Sequence, residues 1–180
     1  MKPIVKVPHD VLVTPAREVT SFDKKLALLI SDMKRTLLAT TNPKGVGLAA
    51  TQVGVAQKVF ITKPTAKAPI RAFINPEIIS RSEKQTEGVP ERDNPLEGCL
   101  SIPQIWGEVK RAESLTLRYQ DEQGVSHEET FKGFLATIIQ HETDHVNGIL
   151  FTQRVLEQKG KLYHPVKNKD GKEELEEILL

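Results

Sequence analysis

The sequence holds a single cysteine, Cys99, so an intramolecular disulfide is excluded and the chain is not a stapled secreted scaffold. It also lacks a charge excess: 25 Lys and Arg stand against 24 Asp and Glu, a formal net charge of +1. That balance argues against a basic groove for nucleic acid and against attachment to an anionic membrane. No apolar run approaches the ~20 residues that span a bilayer. Residues 1–6 have neither the apolar stretch nor the small-residue cleavage site of a secretory signal, so no leader is expected. Repeats and low-complexity segments are absent too. What is there is 180 residues, 38% of them hydrophobic, the length of one compact domain with its own core. The lone cysteine is then a small core residue, a free thiol or a thiolate with a chemical role.

Residues 22–39 place Phe22, Leu26, Leu29, Ile30, Met33 and Leu37 at steps of three and four, which marks one face of a packing helix. Thr20 or Ser21 is the expected cap, with Asp23 in the first turn, and Asn42-Pro43 lies past the stop. Residues 59–62 and 70–74 read as short strands, the second ended by Asn75-Pro76. Residues 81–95 are polar, carry Gly88, Pro90 and Pro95, and read as a surface loop. Residues 109–119 and 125–131 read as strands of a hairpin joined through Asp121-Glu122-Gln123-Gly124. Residues 133–147 have helical period, and Gly148 suits the position just past a helix end. The tail from Gln158 is rich in Lys and Glu, and residues 172–180 are spaced as a short amphipathic helix. Strands flanked by two unrelated helices predict an α+β fold.

The most informative stretch is His141-Glu142-Thr143-Asp144-His145. Residues four apart on a helix are rotated by about 400°, only ~40° from a common line, so both imidazoles can meet one metal ion. Glu142 then lies where its carboxylate can reach the attacking water. H-E-x-x-H is a known metalloprotease signature. Phe134, Ile138 and His141 fall at i, i+4 and i+7 with Thr137 beside them, an apolar strip that serves equally as core and as pocket wall.

A catalytic site needs a third protein ligand and an open position. In the extended pattern the third histidine's place is taken here by Phe151, which binds no metal. Downstream glutamates such as Glu157 and Glu173 are a second source. The third is Cys99, flanked by Gly98 in Glu97-Gly98-Cys99-Leu100-Ser101. A buried cysteine on its own is more often core than ligand; a two-histidine helix in need of a partner shifts the balance toward Cys99.

Three segments together resemble, in order and spacing, the signature motifs of the peptide deformylases: Gly45-Val46-Gly47-Leu48-Ala49-Ala50-Thr51-Gln52, Glu97-Gly98-Cys99-Leu100-Ser101 and Gln140-His141-Glu142-Thr143-Asp144-His145. Similarity also covers the helix after Phe22, the segment from Trp106 to Arg111, and Gly148-Ile149-Leu150-Phe151, and fades beyond about Leu156. The departures are Val146 in place of the usual Leu, Gln153 in place of Asp before Arg154, and a longer segment at 81–95.

The resemblance implies hydrolytic removal of the N-formyl group from formylmethionine of nascent polypeptides, with release of formate. It implies one divalent ion held by Cys99, His141 and His145, commonly Fe(II), with zinc, nickel or cobalt able to replace it. Glu142 is the expected general base, and the Gln52 amide and the Leu100 backbone N–H the expected donors to the oxyanion. Gly45, Val46, Gly47, Gly98, Phe134 and Ile138 are the expected substrate contacts, with Val46, Phe134 and Ile138 as walls of a methionine pocket. Glu97 and Arg111 are expected to form a buried pair that fixes ligand orientation. The expected architecture is antiparallel or mixed β-sheets packed around a central metal-binding helix, with an N-terminal packing helix. It is read as one catalytic domain over residues 1–180, with 158–180 a charged tail or short helix. A metal-bound thiolate calls for a reducing compartment where translation occurs, cytoplasmic in a bacterium. The expected partners are formylmethionyl nascent peptides, with the charged tail a candidate contact for the ribosome surface.

Two other functions share parts of this pattern. A zinc endopeptidase would keep Glu142 and take another third ligand. A non-catalytic homologue that binds chain ends or a ribosomal surface would be expected to lack Glu142 or Gln52, and both are present.

Overall fold

The computed structural model describes residues 1–87 and 95–179. In chain order the elements are α1 (Lys24–Ala39), β1 (Gly47–Ala49), a 3-10 turn at Ala50–Val53, β2 (Val59–Thr62), β3 (Arg71–Arg81), β4 (Gln85–Glu87) and β5 (Glu97–Cys99). They continue with β6 (Ile102–Gly107), β7 (Lys110–Ala112), β8 (Ser114–Gln120), β9 (Ser126–Lys132), α2 (Gly133–Val146), α3 (Phe151–Glu157), β10 (Leu162–Lys167) and β11 (Glu173–Glu177). The strands form a five-stranded sheet β1-β2-β3-β8-β9, a four-stranded sheet β11-β10-β6-β5 and the pair β4-β7, with antiparallel neighbours throughout. The fold is α+β, as expected.

The period-two rule explains how the large sheet is covered on both faces. Val59, Ile61 and Ile74 point to one side, where they pack with Leu26, Leu29, Ile30, Met33 and Leu37 of α1. Phe60, Phe73, Leu115 and Leu117 point to the other, where they pack with Ala136, Ile139 and Val146 of α2. A third cluster joins Cys99 and Ile102 of the four-stranded sheet to Phe151 and Val155 of α3. Helix α2 therefore has the large sheet on one side and the Cys99 strand within reach on the other. Its end is set by Gly148, whose φ of +74° suits glycine and whose missing side chain leaves room for the backbone of Val13 to Pro15.

Several boundaries differ from expectation. Asp23 is the cap of α1 and not a first-turn residue: its Oδ1 accepts from the N–H of Lys25 at 2.9 Å and of Leu26 at 3.1 Å. The helix begins at Lys24, so the cap position falls on Asp23, and Thr20 and Ser21 lie upstream of it. Strand β3 does not stop at Asn75-Pro76 but runs through it on a bulge, with Asn75 at φ +50°. Asn tolerates that conformation. Its side chain also tethers the strand, accepting from Val19 N–H and donating to Val19 O and Gln120 Oε1, each at 2.8 Å.

The 81–95 segment is not all loop, since Arg81 closes β3 and Gln85–Glu87 form β4; residues 88–94 lie outside the described residues. The helix expected at 172–180 is instead strand β11, hairpinned on β10. The turn decides this: Asn168 Oδ1 accepts from the N–H groups of Asp170 and Lys172 at 3.0 Å, and Gly171 takes φ +77°. Among the described residues no helix is long and apolar enough to cross a membrane.

Replacing Asp23 with Ala should lower the unfolding free energy by about 1 kcal/mol, as loss of a cap typically does. Urea denaturation followed by circular dichroism measures it, and an unchanged midpoint would remove the capping role.

Candidate metal centre

His141 and His145 are one turn apart on α2, and Cys99 ends β5 opposite them. Their ligand atoms all lie within 4.8 Å of one another. Cys99 Sγ is 3.1 Å from His145 Nε2, and the two imidazole rings meet edge to face with centroids 4.8 Å apart. His141 Nδ1 is engaged by Glu97 Oε1 at 2.5 Å, which leaves Nε2 to face the thiol. One thiolate and two imidazoles form a donor set that suits Fe, Zn, Ni or Co, so these residues fit a divalent transition-metal ion. Glu157 and Glu173, the alternative third ligands, are exposed and lie outside this group. Phe151, at the place of a third histidine, stacks near the His141 ring with centroids 6.2 Å apart.

Glu142 is buried beside the group, and its Oε2 has no partner among the described residues. A Cβ on Gly47 would overlap the Glu142 carboxylate, so this glycine makes room for Glu142 in the first place. Gln52 is oriented by Ala49, whose N–H donates to Gln52 Oε1 at 2.9 Å. The amide nitrogen therefore points at Cys99 Sγ and Ser101 Oγ, both 3.4 Å away. Ser101 N–H donates to the same sulfur at 3.3 Å.

Gly45, Val46, Leu100, Phe134 and Ile138 line one pocket with these groups. Gly98 lines it too, and lies against the Trp106 indole, where a Cβ would sit 2.6 Å from ring carbons. All fourteen residues singled out in the sequence thus fall in or against a single site.

Glu97 and Arg111 form the expected pair, with Nε to Oε2 at 3.1 Å and Nη2 to Oε1 at 2.6 Å, both side chains buried. The pair is part of a longer chain not foreseen from the sequence. Arg111 Nη1 also donates to Asp144 Oδ2 at 2.6 Å. Arg154 of α3 grips Asp144 from the other side, with Nη2 to Oδ1 at 2.8 Å and Nε to Oδ2 at 3.2 Å. Asp144 stands three residues after His141, a spacing that puts it on a neighbouring strip of α2. That was the one signal in the sequence that it could share partners with the site.

Burial alone would push the Glu97 carboxyl up, but Arg111 and His141 hold it well below the usual carboxylate range. Burial likewise opposes the charge on Arg111, and Glu97 and Asp144 hold that guanidinium firmly charged. Burial also disfavours the Cys99 thiolate, yet His145 and His141 hold the thiol well below its ordinary value. Burial pushes the Glu142 carboxyl up to about 7, against the pull of the two histidines.

Comparison with known proteins bears on the family and the fold. Residues 1–161 match the family model described as Polypeptide deformylase. Peptide deformylase 1 of Bacillus subtilis is 39% identical over 155 residues, covering 86% of this chain and 90% of that protein. Peptide deformylase 1 of Bacillus cereus is 43% identical over 152 residues, covering 84% and 90%. The Met-Ala-Ser-bound crystal structure of a class I type b peptide deformylase from Acinetobacter baumannii superposes with a TM-score of 0.75 at 35% identity, covering 86% of this chain and 98% of that one.

Arg111→Met leaves two buried carboxylates without their shared cation and should destabilise the metal-free protein by about 3–5 kcal/mol. Equilibrium urea unfolding measures this. A loss below about 1 kcal/mol would mean that water or Arg154 replaces the guanidinium and that the chain of pairs is dispensable.

Proposed function

The chain belongs to the polypeptide deformylase family of metal-dependent hydrolases, which remove the N-formyl group from nascent peptides, and we propose that its reaction is carried by Cys99, His141 and His145 as ligands of one divalent ion with Glu142 as general base. The observation that carries this reading is the convergence of three soft donors next to a buried carboxylate with an unpartnered oxygen. When bound, the ion supplies a Lewis acid that lowers the pKa of water from 15.7 toward about 7 and polarises a carbonyl oxygen. Fe(II) is the ion assigned here, with zinc, nickel or cobalt as substitutes; the family resemblance and a donor set compatible with all four support it. The thiolate reads as belonging to a reducing compartment in which translation takes place.

Glu142 takes the proton of the attacking water and later delivers it to the leaving amine. The water adds to the formyl carbon, the C–N bond breaks, and formate and a free N-terminus leave. The oxyanion that develops needs donors, and the Gln52 amide and the Leu100 N–H fill that role. Gln52 is well suited because its amide is fixed by Ala49 before substrate arrives. Glu97 holds the His141 ring through Nδ1, and Arg111 holds Glu97, so neither need move during turnover. Val46, Phe134 and Ile138 enclose the methionine side chain, and Ile138 is only 3% exposed. Strand β1 is the edge of its sheet, so an extended peptide can add to it through Gly45 and Gly47. The peptide named in the Acinetobacter structure, Met-Ala-Ser, has the sequence form of a deformylated product, which supports a substrate that begins with methionine.

Glu142→Ala should keep the metal at full occupancy while deformylation of a formyl-Met peptide falls by about 10²-fold or more, the usual scale of a lost proton-transfer group. Metal analysis and a formate-release assay on the same sample decide it, and near-normal turnover would refute the base. Cys99→Ala should abolish stoichiometric metal binding in anaerobically purified protein. One equivalent of metal retained by that variant would refute the ligand assignment. Acetyl-Met peptides should be inert in the same assay; their cleavage, or that of internal bonds, would favour the endopeptidase reading.

A further inference from the structure

The reaction centre draws support from a stretch near the start of the chain that belongs to no strand or helix. Residues 5–7 make three successive contacts with the two segments that carry Gln52 and Leu100. Val5 N–H donates to the Gln52 carbonyl at 2.9 Å, and Val7 N–H donates to the Ser101 carbonyl at 3.1 Å. Between them, the Lys6 ammonium donates to the Leu100 carbonyl. The stretch is itself anchored on both sides. Upstream, Lys2 N–H donates to Thr36 Oγ1 of α1 at 3.1 Å, and that hydroxyl donates back to the Lys2 carbonyl at 2.7 Å. Downstream, Leu12 is fully buried. Two residues of backbone span at most about 7 Å, so the amides of Val5 and Val7 limit how far Gln52 and Ser101 can separate.

The Leu100 carbonyl and the Ser101 N–H are the two ends of one planar peptide unit. At the N–H end lies the Cys99 sulfur, 3.3 Å from the Ser101 nitrogen. At the carbonyl end lies the Lys6 ammonium. A cation on the oxygen draws electron density through the amide and makes its N–H a stronger donor, as in any chain of hydrogen bonds whose members polarise one another. We propose that Lys6 is a positioning residue for the reaction: it orients the Leu100–Ser101 peptide and, through the Ser101 N–H, reduces the electron donation of the Cys99 sulfur to the ion. The assignment rests on the deformylase reading and deepens it. A thiolate ligand weakens a metal ion as a Lewis acid, and a firm N–H bond to the sulfur offsets that. Lys6 is suited to act at one remove. Its side chain is exposed and does not line the pocket that holds Glu142 and Gln52. It therefore leaves the open position of the ion to water and substrate, and its charge reaches the sulfur only through the peptide.

The test uses cobalt-loaded protein and formyl-Met-Ala-Ser. In K6M, kcat should fall by about three- to tenfold while KM stays within about twofold of the wild type. That is less than the roughly 10²- to 10³-fold typical of an oxyanion donor lost outright, because the Leu100 N–H remains and only its setting changes. The thiolate-to-Co(II) charge-transfer band, read without substrate, should move to lower energy in K6M, since a sulfur with a weaker N–H bond gives up electron density more readily. K6R should restore both kcat and band, because a guanidinium keeps the charge and the donor at the carbonyl. A rise in KM with unchanged kcat would make Lys6 a substrate contact and overturn the proposal. A lower kcat with an unmoved band would make it a plain structural brace and overturn it too. So would a K6M protein that matches the wild type in both, or a wild type without a thiolate band. Failure of the wild type to release formate sinks the deformylase reading by itself, and the band in K6M still decides whether Lys6 acts on the Cys99 sulfur.

Discussion

The contact between Glu97 Oε1 and His141 Nδ1 is the one on which the rest of the site depends. It fixes the ring and leaves a single nitrogen to face Cys99. A carboxylate buried this deeply is costly unless paired, and Arg111 pairs it through two hydrogen bonds. Arg111 is itself buried and is balanced by Asp144, and Asp144 by Arg154. The chain runs from β5 through β7 to α2 and α3, so four elements are tied together by groups that cannot be removed singly. The geometry of the ligands is therefore set by electrostatics inside the protein, ahead of any ion.

The hydrophobic layers do a different job. Alternation along β2 and β3 sends Val59, Ile61 and Ile74 toward α1 and Phe60 and Phe73 toward α2. Helix α2 is thereby pinned along its length, with Ala136, Ile139 and Val146 on the sheet and His141 turned away from it. Phe151 closes the opposite flank against the His141 ring. In a longer metal motif that position would supply a ligand; here it supplies packing, and the third soft donor of the proposed metal site comes from a strand more than forty residues upstream.

What was legible in the sequence was what is local. The faces of α1 and α2, the strand at 59–62 and the β8–β9 hairpin all follow from periodicity or turn chemistry within a dozen or so residues. The two histidines and Glu142 are legible for the same reason. Cys99 was favoured as the third ligand by the two-histidine helix's need for a partner and singled out by resemblance to a family, because nothing in residues 97–101 alone points to a helix at 133–146. Asn75-Pro76 reads as a stop by its residue types, yet the bulge is stabilised by Val19 and Gln120, which are far away in sequence. Residues 172–180 have helical spacing, but the turn at Asn168 and pairing with β10 outweigh a weak local preference. Helix α3 has only seven residues, too few for its period to show.

Charge counting inside the site links these observations to chemistry. Glu97 and Asp144 are offset by Arg111 and Arg154, so that chain of pairs is neutral as a unit. Outside it stand the Cys99 thiol, held well below its ordinary value, and Glu142, whose carboxyl burial pushes up to about 7, in one buried pocket with no fixed cation assigned to them. The imidazoles can share that load only by holding protons, and a histidine that holds a proton on Nε2 cannot donate a lone pair there. A divalent cation offsets negative charge there without that conflict. The neutrality of the outer chain is what leaves this charge to a metal, and the near-zero net charge of the whole sequence says nothing about it because the decisive imbalance is confined to two side chains.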